Sequence, residues 1–244
     1  MKKAYFNWSS GKDSALALYQ VLQAKEYSVT QLVTTVNKDF ERVSMHGLRE
    51  ELLDAQVAQL QIPLQKIYFP AEVSMTAYDT TMRIATQKLS DQGFQYGIFG
   101  DIFLEDLRSY REQKLKEVGI TGVFPLWKKD TKTLLKEFLQ LGFKAITVCV
   151  NAQLLDESFV GRILDESFIN DLPSGVDPCG ENGEFHTFVF DGPIFSTPIQ
   201  FSVGEKVLKT YSSSKDEDSC TTSNSSWDTS FWYCDLVLKN STAS

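Results

Sequence analysis

The chain has 244 residues, 42% hydrophobic and 23% charged, a composition that fits one large soluble domain or two unequal ones. Its 24 basic and 32 acidic residues leave a net charge of −8, which argues against a protein that grips extended nucleic acid through its phosphates. No stretch approaches the roughly 20 apolar residues of a membrane helix. The N-terminus lacks the core of a signal peptide, and four scattered cysteines with two histidines offer neither a zinc site nor a disulfide framework. The expectation is a cytoplasmic protein with free thiols.

Strand-like and helix-like segments alternate through the first half. Lys3 to Trp8 is a short β-prone run, and Ser9 to Ser14 a turn of small and polar residues ahead of a helix from Ala15 to Lys25. Gln31 to Val36 reads as a strand. Gly47 to Gln61 carries Leu48, Leu52, Leu53, Val57 and Leu60 on one helical face. Leu64 to Phe69 reads as a strand, and Ser74 to Gln92 as a helix that Ser74 can cap. Tyr96 to Phe99, Leu104 to Val118, Gly122 to Leu126, Asp130 to Leu141 and Ala145 to Val150 continue the alternation. Such a series predicts an α/β fold, a doubly wound parallel sheet with helices on both faces. Ligands then collect beyond the carboxyl ends of the strands, near Trp8, Val36, Phe99 and Leu126.

The texture changes near Asn151, where we expect an α/β unit (1–150) to give way to a smaller α+β unit (151–244). Leu155 to Phe159 is echoed by Leu164 to Phe168, which reads as two acidic helical turns rather than a repeat architecture. After a Pro/Gly-rich stretch, Leu172 to Glu184, comes a β-prone run, Phe185 to Phe190. Ile199 to Val203 and Val207 to Tyr211 suggest a hairpin around Gly204-Glu205. Ser212 to Ser230 is expected to form a mobile loop, and Phe231 to Leu238 a last strand.

The strongest local signal is Trp8-Ser9-Ser10-Gly11-Lys12-Asp13-Ser14-Ala15. A strand feeds a tight turn and a helix begins at once, where unsatisfied N–H groups and the helix dipole favour an oligophosphate. Ser9, Ser10 and Ser14 add hydroxyl donors, Gly11 an unobstructed backbone, and Lys12 a cation. The alternative is a serine-rich helix cap with no ligand. The spacing is not that of a Walker loop.

The turn resembles the Ser-Gly-Gly-x-Asp-Ser loop of the PP-loop ATP pyrophosphatases, the adenine nucleotide hydrolase-like (HUP) class, with Ser10 where the second glycine usually stands. That substitution narrows the backbone's tolerance for positive φ. Gly180-Glu181-Asn182-Gly183-Glu184-Phe185-His186-Thr187, with Asp191 to Phe195, is similar to a signature of the diphthine–ammonia ligase (diphthamide synthase) family, although His186 stands where a glutamate is usual. Gly100-Asp101-Ile102 with Arg108, Arg111 and Glu112, and Ser44 to Gly47 after Asn37, have the look of the same family.

The resemblance implies an ATP-dependent ligase that turns a carboxylate into an acyl-adenylate, releases pyrophosphate and lets ammonia displace AMP. It implies ATP contacts at Ser9 to Ser14, Asn37, His46 and Gly100, and acceptor contacts at Arg108, Arg111, Glu112, Gly183 and Thr187. Lys12, Asp13, Asp101, Glu181, Glu184 and His186 are the catalytic candidates. Mg²⁺ would use Asp13 or Asp101, since magnesium commonly takes one or two carboxylates. The acceptor is a carboxylate on a protein of the elongation factor 2 type or on a small molecule. A homodimer is compatible with the sequence, and neither a membrane nor long nucleic acid is an expected partner.

Each residue also has a plainer reading. His46 can satisfy a backbone carbonyl, and Asp101 can cap the helix near Leu104. Arg108 and Arg111 can form a solvated face, and Glu181 and Glu184 can belong to ordinary turns. Phe231-Trp232-Tyr233 suits the core better than base stacking. Two rival functions remain, adenylation of a tRNA base and non-catalytic sensing of ATP or AMP.

Overall fold

Side-chain alternation along the first strand explains the architecture of the N-terminal half. In this computed structural model, which describes residues 1–43, 47–211 and 229–239, β1 (Lys2–Asn7) is buried on both faces. Ala4 and Phe6 join one apolar cluster and Tyr5 another, as a strand's period of two requires. Helices α1 (Lys12–Ala24), α2 (Glu50–Leu60) and α5 (Thr131–Gln140) cover the first face, through Leu16, Leu18, Leu52, Leu53, Leu134 and Phe138. Helices α3 (Met75–Asp91) and α4 (Glu105–Lys116) cover the second, through Ala85, Leu89 and Leu115.

Strands β2 (Tyr27–Asn37), β4 (Leu64–Phe69), β5 (Tyr96–Ile98) and β6 (Thr121–Val123) complete a parallel sheet in the order β4-β2-β1-β5-β6. A two-residue antiparallel strand, β3 (Arg42–Val43), pairs with the end of β2. The chain moves outward from β1 through β2 to β4, then crosses back to β5 on the other side of β1. The carboxyl ends of β1 and β5 therefore flank a topological switch point, where the following loops diverge and leave a crevice.

The second sheet is antiparallel, in the order β8-β7-β10-β9, from β7 (Lys144–Asn151), β8 (Phe185–Asp191), β9 (Phe201–Tyr211) and β10 (Thr229–Leu238). Two expectations change here. The strand at Ala145–Val150 is real, but it pairs with β8 and β10 rather than extending the parallel series. The hairpin expected at Gly204-Glu205 is instead one continuous strand, with a register shift where Gly204 lies against Asp235. Residues 212–228 of the expected loop lie outside the described residues, and Thr229 and Ser230 belong to β10. The echoed acidic turns are a 3-10 turn at Glu157–Phe159 and a short helix, α6 (Glu166–Asp171), each capped by its preceding aspartate, Asp156 or Asp165. Ser74 caps α3 by accepting from Ala77 N–H, worth about 1 kcal/mol for such a cap.

The two sheets share one apolar core. Phe6, Trp8 and Leu18 of the first layer belong to the same cluster as Ile146, Phe185 and Phe188 of the second. Phe138 of α5 stacks on Phe143 just ahead of β7, with ring centroids 4.9 Å apart.

Candidate active site

Helix α1 begins at Lys12, three residues before its apolar face starts, so Lys12, Asp13 and Ser14 form its first turn. Gly11 is the N-cap and offers no side chain to the turn. Within the loop, Ser9 Oγ donates to Ser14 Oγ at 3.0 Å, and Ser14 Oγ donates to the Gly11 carbonyl at 3.0 Å. Ser10 is fully buried with φ 69°, a left-handed conformation that costs a non-glycine residue about 1–2 kcal/mol. The serine thus takes the conformation for which glycine is the usual residue. Its carbonyl accepts from Val189 N–H of β8 at 3.0 Å and from Gln56 Nε2 of α2 at 3.0 Å.

Lys12 is 4% exposed. Its Nζ donates to both Asp13 carboxylate oxygens, at 3.0 and 2.8 Å, and to the Cys179 carbonyl. It also lies 5.4 Å from the centre of the Phe185 ring. Burial alone would push this ammonium down, but Asp13, Cys179 and Glu181 outweigh it and its pKa stands above the ordinary value. The charge is therefore permanent at neutral pH. The Lys12 N–H donates to Thr187 Oγ at 3.1 Å, so β8 occupies one of the N–H groups of that first turn.

The β5 loop closes the other side. Gly100 lies so near α1 that an added Cβ would stand 2.9 Å from Ser14 N and 3.0 Å from the Asp13 carbonyl carbon. The next residue, Asp101, is in ion-pair contact with Arg111 of α4 at 2.8 Å. Among the described residues, neither Asp101 Oδ2 nor Arg111 Nε has an aligned hydrogen-bond partner. Burial raises the Asp101 carboxyl, Arg111 opposes that rise, and Asp13 adds to it.

The Pro/Gly-rich stretch supplies the roof. Glu181 Oε1 accepts from Ile102 N–H at 2.8 Å and Phe103 N–H at 3.4 Å, directly after Asp101. Burial is the largest of the influences that raise its pKa from 4.5 to about 7, Asp13 adding to it and the Ile102 N–H opposing it. Asp177 holds the roof's shape by accepting from Cys179 N–H and Glu181 N–H.

Lys12, Asp13, Gly100, Asp101, Arg111, Glu181 and Thr187 therefore converge at the switch point. Other candidates stand elsewhere. The Glu184 carboxylate is taken up by Asp177 N–H, Asn182 N–H and Asn182 Nδ2, at 2.9–3.0 Å, and organises its own turn. Gly183 belongs to that turn. Asn37 accepts from Asp39 N–H and Phe40 N–H and shapes the turn after β2. Arg108 pairs with Glu112 at 2.8 Å and lies over Phe124 and Trp127, pointing along α4. His46 lies outside the described residues.

His186 alternates with Phe185 and Thr187, the two β8 residues that touch Lys12, and so faces the other side of its sheet. There it lines a cleft of about 1090 Å³ with Asn37, Cys149, Lys209 and Tyr233. Burial, then the Lys12 charge, lowers its pKa to about 4, and it is neutral at physiological pH. Burial pushes the Cys149 thiol up to about 12. Among the described residues Cys149, Cys179 and Cys234 are free thiols, no cluster of three or more metal-ligating side chains occurs, and no helix is long and apolar enough to cross a membrane.

Sequence reasoning missed Gln56, Asp177 and Cys179. Gln56 had a signal: it sits four residues from both Leu52 and Leu60, on the buried stripe of α2, where a lone polar residue asks for partners.

Comparison with known proteins identifies the family. The family model for the diphthamide synthase N-terminal domain matches residues 1–122, and that for the diphthamide synthase C-terminal domain matches residues 130–216. The chain is 35% identical over 221 residues to a diphthine–ammonia ligase of Danio rerio, covering 82% of this chain and 86% of that one. It is 29% identical over 133 residues to the human diphthine–ammonia ligase, covering 52% of this chain. That alignment takes in 48% of the human protein, so the chain spans about half the length of several curated relatives it matches. A more distant solved structure, titled a predicted subunit of tRNA methyltransferase from Methanocaldococcus jannaschii, aligns with 15% identity and a TM-score of 0.41, over 59% of this chain and 77% of that one. With both family models matched in order along one chain, this protein belongs to the diphthamide synthase family.

Proposed function

We propose that the protein is an ATP-dependent amide ligase of the diphthine–ammonia ligase type, which activates a carboxylate as an acyl-adenylate for attack by ammonia. The observation that carries this reading is the buried Lys12 in the first turn of α1, at the switch point, ion-paired to Asp13 and near Asp101 and Glu181. The family names of its relatives support it.

A carboxylate resists attack because its charge repels nucleophiles and oxide does not leave. Attack of its oxygen on the α-phosphorus of ATP expels pyrophosphate and replaces oxide with AMP as the leaving group. The loop Ser9–Ser14 holds the phosphates and Lys12 offsets charge gathering on the departing pyrophosphate. Asp13, which pairs with Lys12, and Asp101, which pairs with Arg111, are the carboxylates that would hold a magnesium ion. Magnesium there would neutralise phosphate charge.

Ammonia then displaces AMP, and a base must take the proton of ammonium, the form that dominates at neutral pH. Glu181 suits that role, with a pKa of about 7 beside Asp13 and the Asp101 loop. Glu184 is committed to its turn, and His186 faces the cleft behind β8. Arg111 holds Asp101 in place. The acceptor, a protein of the elongation factor 2 type or a small carboxylate, follows from the motif resemblance alone.

The test is product analysis with ATP, magnesium, ammonium and candidate carboxylates. AMP and pyrophosphate are expected, and ADP with phosphate would overturn the reading. Lys12→Ala should lower pyrophosphate release ~30- to 1000-fold, from a loss of ~2–4 kcal/mol of transition-state stabilisation. Release at the wild-type rate would remove Lys12 from the mechanism. Binding of ATP with no turnover under any condition would favour a sensor.

A further inference from the structure

The nucleotide loop contains a residue in an unfavourable conformation, and the structure supplies a device that holds it there. Ser10 has φ 69° and is fully buried, with its hydroxyl turned back onto the Ser9 carbonyl. Nothing in its own side chain favours the left-handed region, so the conformation is imposed from outside.

Gln56 imposes it. Its side chain is 0% exposed on the inner face of α2 and its carboxamide makes three hydrogen bonds, two to the β1–α1 loop and one to β8. Oε1 accepts from Trp8 Nε1 at 2.9 Å, and Nε2 donates to the Ser10 carbonyl at 3.0 Å and the Val189 carbonyl at 2.6 Å. The indole is only a donor and the carbonyls only acceptors, so a single orientation of the amide satisfies all three. Val189 N–H donates to the same Ser10 carbonyl. The loop is thus tied at one atom to α2 and to β8, the strand that also touches Lys12 through Thr187 and Phe185. Glutamate lacks the two donors, arginine lacks the acceptor, and asparagine is one methylene short.

We propose that Gln56 is the positioning residue of the nucleotide site: its carboxamide fixes the left-handed conformation of Ser10 through the Ser10 carbonyl and so presets the loop for the phosphates of ATP. This rests on the reading of Ser9–Ser14 as the phosphate loop. In this role Gln56 acts through the Ser10 carbonyl rather than on the nucleotide.

The test is a double-mutant cycle with Gln56→Leu and Ser10→Gly, read by calorimetric ATP affinity, by KM and kcat for ATP separately, and by thermal melting. Gln56→Leu should weaken ATP binding at least tenfold and raise KM more than it lowers kcat. Ser10→Gly in that background should restore affinity to within about threefold, because glycine takes positive φ without help. A residue that merely supports the core would not be rescued this way. Unchanged affinity in folded Gln56→Leu, or failure of Ser10→Gly to rescue it, would overturn the proposal. Should the leucine variant not fold, Gln56→Glu keeps the size and the Trp8 contact with one donor at most. A partial loss of affinity is then expected, and wild-type affinity overturns the idea. Failure of the wild-type protein to bind ATP would instead sink the phosphate-loop reading itself.

Discussion

Glu181 shows how one side chain can carry both a cost and a function. Its carboxyl is held near pH 7 by burial and by Asp13, against the pull of Lys12 and the Ile102 N–H. In the unfolded chain it titrates near 4.5. Between those values the folded state binds the extra proton, so this group's contribution to stability is fully present below 4.5 and is lost as pH rises through 7. Glu181→Gln should flatten that decline, read from urea midpoints at pH 4.5 and 7.5. In catalysis the sign reverses, because only the carboxylate accepts a proton. Amide formation should rise through an apparent pKa near 7 in the wild type, and the glutamine variant should lose that limb. An unaltered pH–rate profile would assign the base elsewhere. Glycines around Glu181 and Glu184 made both acids visible in the sequence. Spacing did not separate them, because their roles differ only in which N–H groups they meet across the fold.

At the level of elements, the site depends on how closely β5 delivers its loop to α1. Gly100 is required by space: any Cβ meets backbone atoms of Asp13 and Ser14 at about 3 Å, and backbone in a capped first turn does not yield as a side-chain end does. Gly100→Ala should push the two loops apart, cost about 1–3 kcal/mol as overpacked sites do, and weaken ATP binding. A variant with unchanged melting temperature and affinity would show that the contact yields freely. Helices and parallel strands were legible because their apolar periods of 3.6 and 2 are local properties. Ser74 and Asp130 marked real helix starts. The partners of β7 were not legible, since Ala145–Val150 is apolar on both faces and suits either sheet. Gly204 read as a turn because glycine in a strand and glycine in a hairpin look alike in sequence. Here it marks a close approach to Asp235. The Asn37 and Gly183 assignments rested on resemblance, and both residues shape turns in the structure.

Across the whole molecule, the two sheets form one folding unit. Strand β9 is exposed along most of its length, so the burial of the antiparallel sheet falls on its other strands and on the turns and short helix packed against them. The sheet's buried residues Ile146, Phe185, Phe188 and Val189 belong to the cluster that holds Phe6, Trp8 and Leu18. Polar ties cross the same junction: Thr187 to Lys12, Val189 to Ser10 and Gln56, and Ser196 to Gln59. Asp235 of β10 adds an ion pair to Arg49 at 2.6 Å and to Arg42 at 3.1 Å. The Arg49 hydrogen bond and the Arg42 charge hold its carboxyl below the ordinary value, so this contribution exists above pH 4 and is lost as pH falls further. These groups are partly exposed and their worth is about 1 kcal/mol, small beside a shared core. Unfolding should therefore be one cooperative transition. Hydrogen exchange of peptides from α1 and from β8 should reach the global limit at the same denaturant concentration, and ATP should protect both together. Separate transitions, with β8 opening while α1 stays protected, would mean the phosphate loop survives without the strand that anchors it.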